Sequence, residues 1–450
     1  LRRLLQLRES LPGDMVSAQV VGKEFTEFFR VTRVVLDRGS RNIRPHMPVV
    51  APDGVVGAVL RVAGDAVDVQ LAVDAAFGID VEDERTHARG FVRGTGDPSR
   101  YACKVENVDS RDEVEIGDLL VTSGKATLQG FAVEAPVHAG IWAMGGSATV
   151  TASRVEGAEV DDHGVGYGVV GSDDGAIILQ DATVDGAAGY GAYVVQATAS
   201  FTDDTFGDNG LGGVRLDEAS GETTIQNDVF QANHGFAIGV FSSRAIILQN
   251  QIRDTALDAT GLGDGILSGS IQGEDGSSLG DASVTAQDNQ ISGSARVGIL
   301  CAGGTRGIIL QRNDVADSAK TADFGAGIWM QGGVGGQADN VVEQNHVTAS
   351  RFAAIGVSGD THGIILQNNW ATGTESAYAD IGGLAKIGDG LSLFRGAATG
   401  SISGNHLLGN GRFGLIVDSA AMGTVAGIAG NFIEDNDQYG IILQRQPDAD

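Results

Sequence analysis

Short apolar runs recur along the last three quarters of this chain of 450 residues. One form is a small residue followed by Ile-Ile-Leu-Gln, and copies begin at Ala176, Ala245, Gly307, Gly363 and Gly440. Repetition at intervals of roughly 20–50 residues is typical of solenoids and other repeat proteins. The pattern therefore predicts stacked coils in place of one central core.

Two further signals alternate between these copies. The first is Gly or Ala, any residue, and an apolar residue that we call the anchor. The anchors are Ile141, Val169, Ala192, Val214, Ile238, Ile266, Ile299, Ile328, Ile355, Leu391, Leu415 and Ile441, at spacings of 22 to 36 residues. The second is an asparagine followed two residues later by an apolar residue. It occurs at Asn227, Asn250, Asn289, Asn313, Asn345, Asn368, Asn405 and Asn431.

One anchor and one asparagine per coil indicate a right-handed parallel β-helix of about twelve coils over 126–450, roughly 55–60 Å long. Stacked inward Ile, Val and Leu would form its core, and Gly would permit tight bends. A buried Asn can donate to one neighbour and accept from the other, so we expect an asparagine ladder. This segment resembles the pectate-lyase-like superfamily and its non-catalytic relatives.

The first 125 residues have another pattern. Leu1, Leu4, Leu5 and Leu7 fit the end of a helix or coiled coil over 1–12, which Pro12-Gly13 would stop. Short Val-rich runs then predict strands at 16–22, 30–37, 48–51, 55–62 and 67–73, with Gly-containing turns between them. Such spacing suggests a small β-barrel or sandwich.

This segment carries a family resemblance. Three stretches, 34–40 (Val-Val-Leu-Asp-Arg-Gly-Ser), 47–50 (Met-Pro-Val-Val) and 54–59 (Gly-Val-Val-Gly-Ala-Val), resemble the first β-domain of the rod shape-determining protein MreC. Residues 112–124 resemble its second β-domain. The resemblance implies a periplasmic scaffold with two small β-barrels, preceded by a membrane helix and a coiled coil. It also implies a protein that organises wall-synthesis enzymes without a catalytic site of its own.

The chain departs from that family in two places. Arg41-Asn42-Ile43 lacks the Gly of the usual turn, and the resemblance stops at Gly124, before the strands that complete the second barrel. We therefore expect three parts, namely 1–12, an MreC-like β-domain over 13–125 with an incomplete second barrel, and the β-helix over 126–450. Both folded parts are predicted to be all-β.

Charge divides the chain at the same place. Residues 1–125 carry a net charge of −3, whereas 126–450 carry −25 and hold 56 of the 68 glycines. Such acidity argues against nucleic acid or an anionic lipid surface as the partner. A membrane contact is expected only through a segment missing from this chain, and self-association is left open.

The distance from an asparagine to the next anchor is longer in alternate coils. We therefore predict that insertions 254–264, 317–326 and 372–388 project from one corner of the rod and bind a partner. The binding candidates are Asp254, Asp258, Asp264, Phe324, Trp329, Tyr378 and Asp380. No cofactor is predicted, although the three aspartates of the first insertion offer oxygen ligands to Ca²⁺. Trp329 is expected to face outward as a sugar platform, and Trp370 to lie in the core.

Two classes of function fit these observations. The preferred one is a non-enzymatic scaffold or interaction protein of the cell envelope, whose partners are envelope proteins or glycans. The alternative is a polysaccharide lyase or glycoside hydrolase of the β-helix superfamily. Asp pairs and His-Gly pairs are present, but no basic triplet accompanies them, and chance produces such pairs in an acidic, Gly-rich chain.

Overall fold

A computed structural model describes residues 16–25, 31–38, 43, 45, 47–51, 54–83, 89–95, 102–106, 120–121, 125–160, 166–272, 278–320, 322, 324–332, 340–359, 361, 363–380, 384–394, 399–418 and 427–444. Their regular structure consists of strands, in two units, Leu1–Gly124 and Lys125–Asp450. Across these ranges no helix is long and apolar enough to cross a bilayer. The helix predicted over 1–12 lies outside the described residues.

The first unit contains two antiparallel sheets. The five-stranded sheet has the order β1-β2-β5-β4-β3, from β1 (Val20–Phe25), β2 (Val31–Leu36), β3 (Pro48–Ala51), β4 (Gly54–Ala63) and β5 (Ala66–Leu71). The four-stranded sheet has the order β8-β7-β6-β9, from β6 (Gly78–Asp83), β7 (Arg89–Gly94), β8 (Cys103–Glu106) and β9 (Leu120–Val121). Val34, Val59, Val67 and Val69 form the buried cluster of the first sheet. Most of the predicted second-barrel motif, 112–124, lies outside the described residues.

The second unit is a solenoid of three parallel sheets with twelve strands each. Sheet I contains β10 (Lys125–Gln129), β13 (Ser147–Thr151), β16 (Ala176–Gln180), β19 (Thr198–Thr202), β22 (Glu222–Gln226), β25 (Arg244–Leu248), β28 (Ser283–Gln287), β31 (Ile309–Gln311), β34 (Val341–Glu343), β37 (Ile364–Gln367), β42 (Thr399–Ser403) and β45 (Ile428–Ala429). Sheet II contains β11 (Ala132–Glu134), β14 (Arg154–Glu156), β17 (Thr183–Asp185), β20 (Thr205–Gly207), β23 (Val229–Gln231), β26 (Gln251–Arg253), β29 (Gln290–Ser292), β32 (Asp314–Ala316), β35 (His346–Thr348), β38 (Trp370–Thr372), β43 (His406–Leu408) and β46 (Phe432–Glu434). Sheet III contains β12 (His138–Met144), β15 (Gly166–Ser172), β18 (Tyr190–Val195), β21 (Gly212–Asp217), β24 (Gly235–Phe241), β27 (Gly263–Gly269), β30 (Val297–Cys301), β33 (Ala326–Gln331), β36 (Ala353–Ser358), β41 (Asp389–Phe394), β44 (Phe413–Asp418) and β47 (Tyr439–Gln444).

The twelve predicted anchors form one column in sheet III. Each pairs with the next through the parallel ladder, from Ile141 to Ile441 without a slip. Eleven are buried in the core that fills the solenoid, whereas Ile441 in the last strand is half exposed. The anchor pattern therefore identified the inward face of sheet III correctly.

The Ile-Ile-Leu-Gln copies, in contrast, are not all equivalent. Strand pairing places Ala245 beside the position of Ile177, one residue out of step with the copy at 176–180. The copy at 440–444 lies in sheet III, where Ile441 is the anchor. Because alternate residues of a strand face opposite sides, the shift of one residue turns Ile246 outward, whereas Ile177 faces the core.

An asparagine ladder lies at the turn between sheets I and II, as predicted. Asn313 donates from its side chain to the carbonyl of Ala286 at 2.9 Å and to Oδ1 of Asn345 at 3.0 Å. Its own Oδ1 accepts from the backbone and side-chain nitrogens of Asn289 at 3.2 and 2.9 Å. Seven asparagines in all form this ladder, at positions 250, 289, 313, 345, 369, 405 and 431.

Two of the eight predicted ladder positions were wrong by one residue. Asn227 and Asn368 are exposed with φ of 59° and 53°, and the buried ladder residues are Asp228 and Asn369. The residue before each rung adopts the left-handed conformation, which Asn also favours, so the sequence offered two adjacent candidates. The same shift of one residue moves Trp370 out of the core, contrary to the prediction, and leaves it 45% exposed.

The ladder continues toward the N-terminus through two aspartates. The backbone N of Asp204 donates to Oδ1 of Asp228 at 2.7 Å, and the backbone N of Asp228 donates to Asn250 at 2.8 Å. Oδ2 of Asp228 is buried and has no hydrogen-bond partner among the described residues. Burial raises the pKa of Asp228 to about 8 and that of Asp204 to about 7. A protonated Asp228 can therefore take the place of an asparagine in the ladder.

We expect Asp228→Asn to stabilise the protein by about 2 kcal/mol near pH 8 and by much less near pH 4. Folding raises the pKa of Asp228 from its ordinary value of 3.8 to about 8. The free energy of unfolding therefore decreases as the pH rises from 3.8 toward about 8. Asparagine has no such titration. Urea melts at several pH values should show a smaller decrease in stability for the variant, and parallel curves would contradict the prediction. Asp203→Asn, at an exposed neighbouring position, is the control.

A second ladder, which the sequence analysis missed, lies between sheets II and III. Asn209 donates to Asn233 at 2.9 Å, and Asn410 donates to Asn436 at 2.9 Å. Hydroxyl residues occupy the corner between these pairs, at Thr255, Ser294, Ser318, Ser350 and Thr374. Both kinds of side chain lie beside glycines of sheet III: a Cβ on Gly298 would lie 3.0 Å from Ser318 Oγ, and one on Gly191 would lie 2.7 Å from Asn209 Nδ2.

The same corner carries the predicted insertions. The insertions separate β26 from β27, β32 from β33, and β38 from β41. The longest insertion contains a hairpin of β39 (Ala377–Asp380) and β40 (Leu384–Ile387). The intervening coils connect with four residues, 293–296 and 349–352. The predicted placement of long insertions in alternate coils at one corner is therefore confirmed.

Candidate functional site

The aspartates of the first insertion serve the local structure. Asp254 is an exposed turn residue with φ of 55°. Oδ1 of Asp258 accepts from the backbone N and the hydroxyl of Thr260 at 2.8 and 2.7 Å, and from the backbone N of Leu262 at 3.0 Å. These contacts close the loop on itself.

Asp264 was predicted in an exposed loop, but it is the second residue of strand β27 and is fully buried. Arg296 donates to both of its carboxylate oxygens, with Nε 2.9 Å from Oδ1, and the backbone N of Val297 adds a bond of 3.1 Å. Burial raises the pKa of Asp264, and the contacts with Arg296 partly oppose that effect. Across the described ranges no group of three or more His, Cys, Asp or Glu is placed to hold a metal ion.

The aromatic candidates of the insertions pack against the outer face of sheet III. Trp329 lies on the outer side of its strand as expected, but it is only 6% exposed. Phe324 covers it edge to face at a centroid distance of 5.0 Å, and the indole Nε1 donates to Ser358 at 3.0 Å. Trp329 therefore offers no free face to a sugar ring.

The third insertion extends this cover. Ala377 and Ile387 pack with Phe352 and Phe324 in a small buried cluster. Tyr378, from the same hairpin, is 65% exposed, and Asp380 ends its first strand. Among the described residues, the insertions thus close an apolar layer over sheet III and present Tyr378 to solvent. Binding at these insertions stays a prediction.

A different surface brings chemistry-bearing residues together. We call it the tyrosine face, and it comprises Tyr167, Tyr190, Tyr193, Arg215 and Asp217 on the outer side of sheet III. It holds three of the six tyrosines of the chain. Their ring centroids lie 5.2 to 5.8 Å apart. The four tyrosine and arginine side chains are half buried, so each keeps an accessible part.

Hydrogen bonds fix the polar atoms of this face. Arg215 Nε lies 2.9 Å from both carboxylate oxygens of Asp217, and its Nη1 donates to the Tyr190 hydroxyl at 2.6 Å. The Tyr193 hydroxyl donates to Asp217 at 3.0 Å. The Arg215 guanidinium also lies over the Phe241 ring, 4.8 Å from its centroid. This network holds the side chains in one arrangement before any ligand binds.

The same contacts set the protonation states. Burial, followed by the charge of Asp217, raises the pKa of Tyr193, so its hydroxyl keeps its proton. Burial lowers the pKa of Arg215, but Asp217 and Tyr190 more than offset it, so the net direction is upward. The face therefore presents a fixed cation, hydroxyl groups and aromatic rings, a combination suited to hydrogen bonding and stacking with a sugar.

An exposed tryptophan continues this surface toward the first strand of sheet III. Trp142 occupies the strand position of Tyr193 two coils earlier, and it is 45% exposed. Its indole Nε1 donates to Ser172 at 2.9 Å, and its ring stacks on His138 at 4.9 Å. From Trp142 to Arg215 the surface covers three coil spacings, about 14 Å. That length suits a short oligosaccharide.

The sequence contained a signal for this face. Tyr193 directly follows the anchor Ala192, at a position that strand alternation turns outward, whereas alternation alone would turn Tyr190, two residues before the anchor, inward. Arg215 occupies the same outward position after its anchor. Which outward residues become neighbours depends on the pairing of successive coils, so the anchors alone do not group these side chains.

Two family models match separate parts of this chain. Residues 20–134 match the family model of the rod shape-determining protein MreC, barrel core. This match runs ten residues beyond Gly124, where the resemblance was expected to stop, and it includes β10 and β11 of the solenoid. Residues 139–315 match the family model of a right-handed β-helix region, which agrees with the predicted hand.

Curated relatives agree with the MreC match. The cell shape-determining protein MreC of Caulobacter vibrioides is 33% identical over 123 residues, which are 27% of this chain and 34% of that protein. MreC of Escherichia coli is 33% identical over 93 residues, 20% of this chain and 25% of that protein. The chain thus spans a third or less of these relatives' length.

Solved structures resemble each unit separately. A structure of MreC is 27% identical with a TM-score of 0.25, over 27% of this chain and 68% of that one. The periplasmic alginate epimerase AlgG is 11% identical with a TM-score of 0.43, over 73% of this chain and 79% of that one.

Proposed function

We propose that this protein is a non-enzymatic scaffold of the cell envelope whose β-helix binds a glycan through the tyrosine face. The MreC match over 20–134 supports a role in cell shape and an envelope location. The observation that carries the glycan proposal is the grouping of Tyr167, Tyr190, Tyr193 and Arg215 on one exposed sheet face.

The contacts of Asp217 favour binding over hydrolysis. A glycosidase needs two carboxyl groups that are free to exchange protons and attack the sugar. Both oxygens of Asp217 are engaged by Arg215, and Oδ2 also accepts from Tyr193. This carboxylate thus orders the face, and the rings and the guanidinium are left to contact the ligand.

The test is binding of the full chain to purified envelope glycans, including peptidoglycan strands, by calorimetry. We expect Tyr167→Ala and Tyr193→Ala each to weaken binding about tenfold, or roughly 1.4 kcal/mol, because a stacking surface is lost. Tyr378→Ala is the matched control, since it removes an exposed tyrosine from an insertion. Thermal melts check that each variant folds.

The other outcomes are equally informative. Loss of binding in Tyr378→Ala with no change in the face variants would move the site to the insertions. Release of new reducing ends or unsaturated sugars during incubation would replace the scaffold with the alternative function, a lyase or hydrolase. No binding by the wild type to any envelope glycan would refute the glycan proposal.

A further inference from the structure

The outer face of sheet I differs from the rest of the solenoid in its charge. Residues 126–450 carry a net charge of −25. The only charged residues in the strands of sheet I are Lys125, Glu222, Arg244 and Glu343, which cancel, whereas the strands of sheet II carry a net charge of −3. The strands of sheet III also sum to −3, but Asp264 and Asp389 among them are buried and paired with Arg296 and Arg412. Glu222 and Arg244 are direct neighbours in the ladder. Sheet I is therefore a neutral face on an acidic rod.

Two outward columns cover this face. One is apolar or hydroxylic, with Thr149, Ile178, Ser200, Thr224, Ile246, Thr285, Ile309, Val341, Ile365 and Ser401 in successive strands. Ile178 is 42% exposed and the branched residues after it are half buried. The other column is rich in glutamine, at positions 180, 226, 287, 311 and 367.

The glutamine column is already ordered. Gln287 donates to Gln311 at 3.0 Å, and the amides of Gln311 and Gln367 both donate to the carboxylate of Glu343. Ordered side chains lose little further entropy when a partner binds. Amides both donate and accept, so such a column is complementary to a second copy of itself.

One edge of this face permits a close approach, whereas the opposite edge carries longer connections, such as the 13 residues between β27 and β28. Every turn from sheet I to sheet II contains two residues, so no insertion rises along that edge. The face is about 53 Å long and up to five residues wide. Its area of at most roughly 800 Å² is close to what each partner contributes to a standard interface.

We propose that the outer face of sheet I joins two copies of this protein in a symmetric dimer. Two chains of net charge −28 repel each other through their acidic faces, and this repulsion is smallest where sheet I meets sheet I. A symmetric dimer requires a surface that is complementary to itself, and apolar and amide columns satisfy that requirement.

Sedimentation velocity of the full chain tests the proposal with a matched pair of variants. Thr224→Glu/Thr285→Glu places two charges in the middle of the sheet I face. Thr183→Glu/Thr205→Glu places the same charges at half-buried outward positions of sheet II. We expect the wild type and the sheet II variant to dimerise equally, and the sheet I variant to dimerise at least about tenfold more weakly. Higher salt should strengthen the wild-type dimer.

A charge-reversal experiment gives a readout that does not depend on the stability of one variant. Thr224→Lys/Thr285→Lys should also fail to dimerise alone, and a mixture of the Lys and Glu variants should restore association. A monomeric wild type overturns the proposal. A dimer that persists in the sheet I variant, or that the sheet II variant also loses, places the contact elsewhere and overturns it as well.

Discussion

Replacing Asn313 with leucine is expected to lower the free energy of unfolding by about 3–5 kcal/mol. Asn313 is near the middle of the ladder, where it accepts two bonds from Asn289 and donates to Ala286 and Asn345. Leucine has a similar volume but makes none of these bonds. The backbone and side-chain donors of Asn289 would then lose their acceptor in a buried place, and each costs free energy, whereas Oδ1 of Asn345 would keep the bond from the backbone N of residue 313.

Urea denaturation of the full chain measures this effect. Gln290→Leu is the matched control, because it makes the same change from amide to leucine at an exposed position of sheet II. We expect the control to change stability by less than about 0.5 kcal/mol. If Asn313→Leu is no more destabilising than Gln290→Leu, the ladder does not stabilise the rod.

Replacing Arg296 with methionine is expected to cost about 3–5 kcal/mol as well, because it leaves Asp264 buried without its counter-charge. The effect should depend on pH. Burial raises the pKa of Asp264, and the variant also loses the opposing contacts with Arg296. For an acid whose pKa is raised by folding, stability decreases as pH rises, so the defect should be larger at pH 8 than at pH 5.

Two comparisons separate charge burial from lost packing. Asp264→Leu/Arg296→Met removes both charges and should regain most of the stability that Arg296→Met loses. Arg306→Met breaks an exposed ion pair with Asp281 and should cost less than about 1 kcal/mol. A double variant as unstable as Arg296→Met would show that packing, and not the charge, is the cause.

The same pair occurs a second time, which provides an internal replicate. Asp389 is fully buried, and Arg412 Nε donates to it at 2.7 Å. Asp264 and Asp389 both stand two residues before an anchor, and both arginines stand three residues before the next anchor. Arg412→Met should therefore reproduce the loss of stability and its pH dependence.

The candidate site shows why only part of the function could be predicted. The sequence correctly placed three long insertions at one corner, because insertions at equivalent points of a repeat must align in a solenoid. It did not reveal that Phe324 would cover Trp329, or that Arg296 would bind Asp264 from the next coil. Those contacts join residues of different coils, and their partners depend on coil lengths that vary from 22 to 36 residues.

Patterns in the sequence alone predict the repeat, the inward column of anchors and a change of fold near residue 125. Each follows from local patterns, namely the spacing of apolar residues, the glycine content and the motif over 34–59. These patterns can be recognised without knowing which strands pair with one another in the fold. The structure divides into two units at Gly124 and Lys125, although the MreC match extends to residue 134.

Contacts between successive coils determine which residue of each candidate pair forms a ladder rung and which tyrosines share a face. Asn227 and Asp228 both suit the turn, and the stack selects Asp228, whose Oδ1 accepts from the backbone N of Asp204 and whose own backbone N donates to Asn250. A shift of one residue exchanges the inner and outer faces of a strand, so local sequence leaves this choice open. Parallel pairing between coils resolves it, since each strand must match the register of the strand before it.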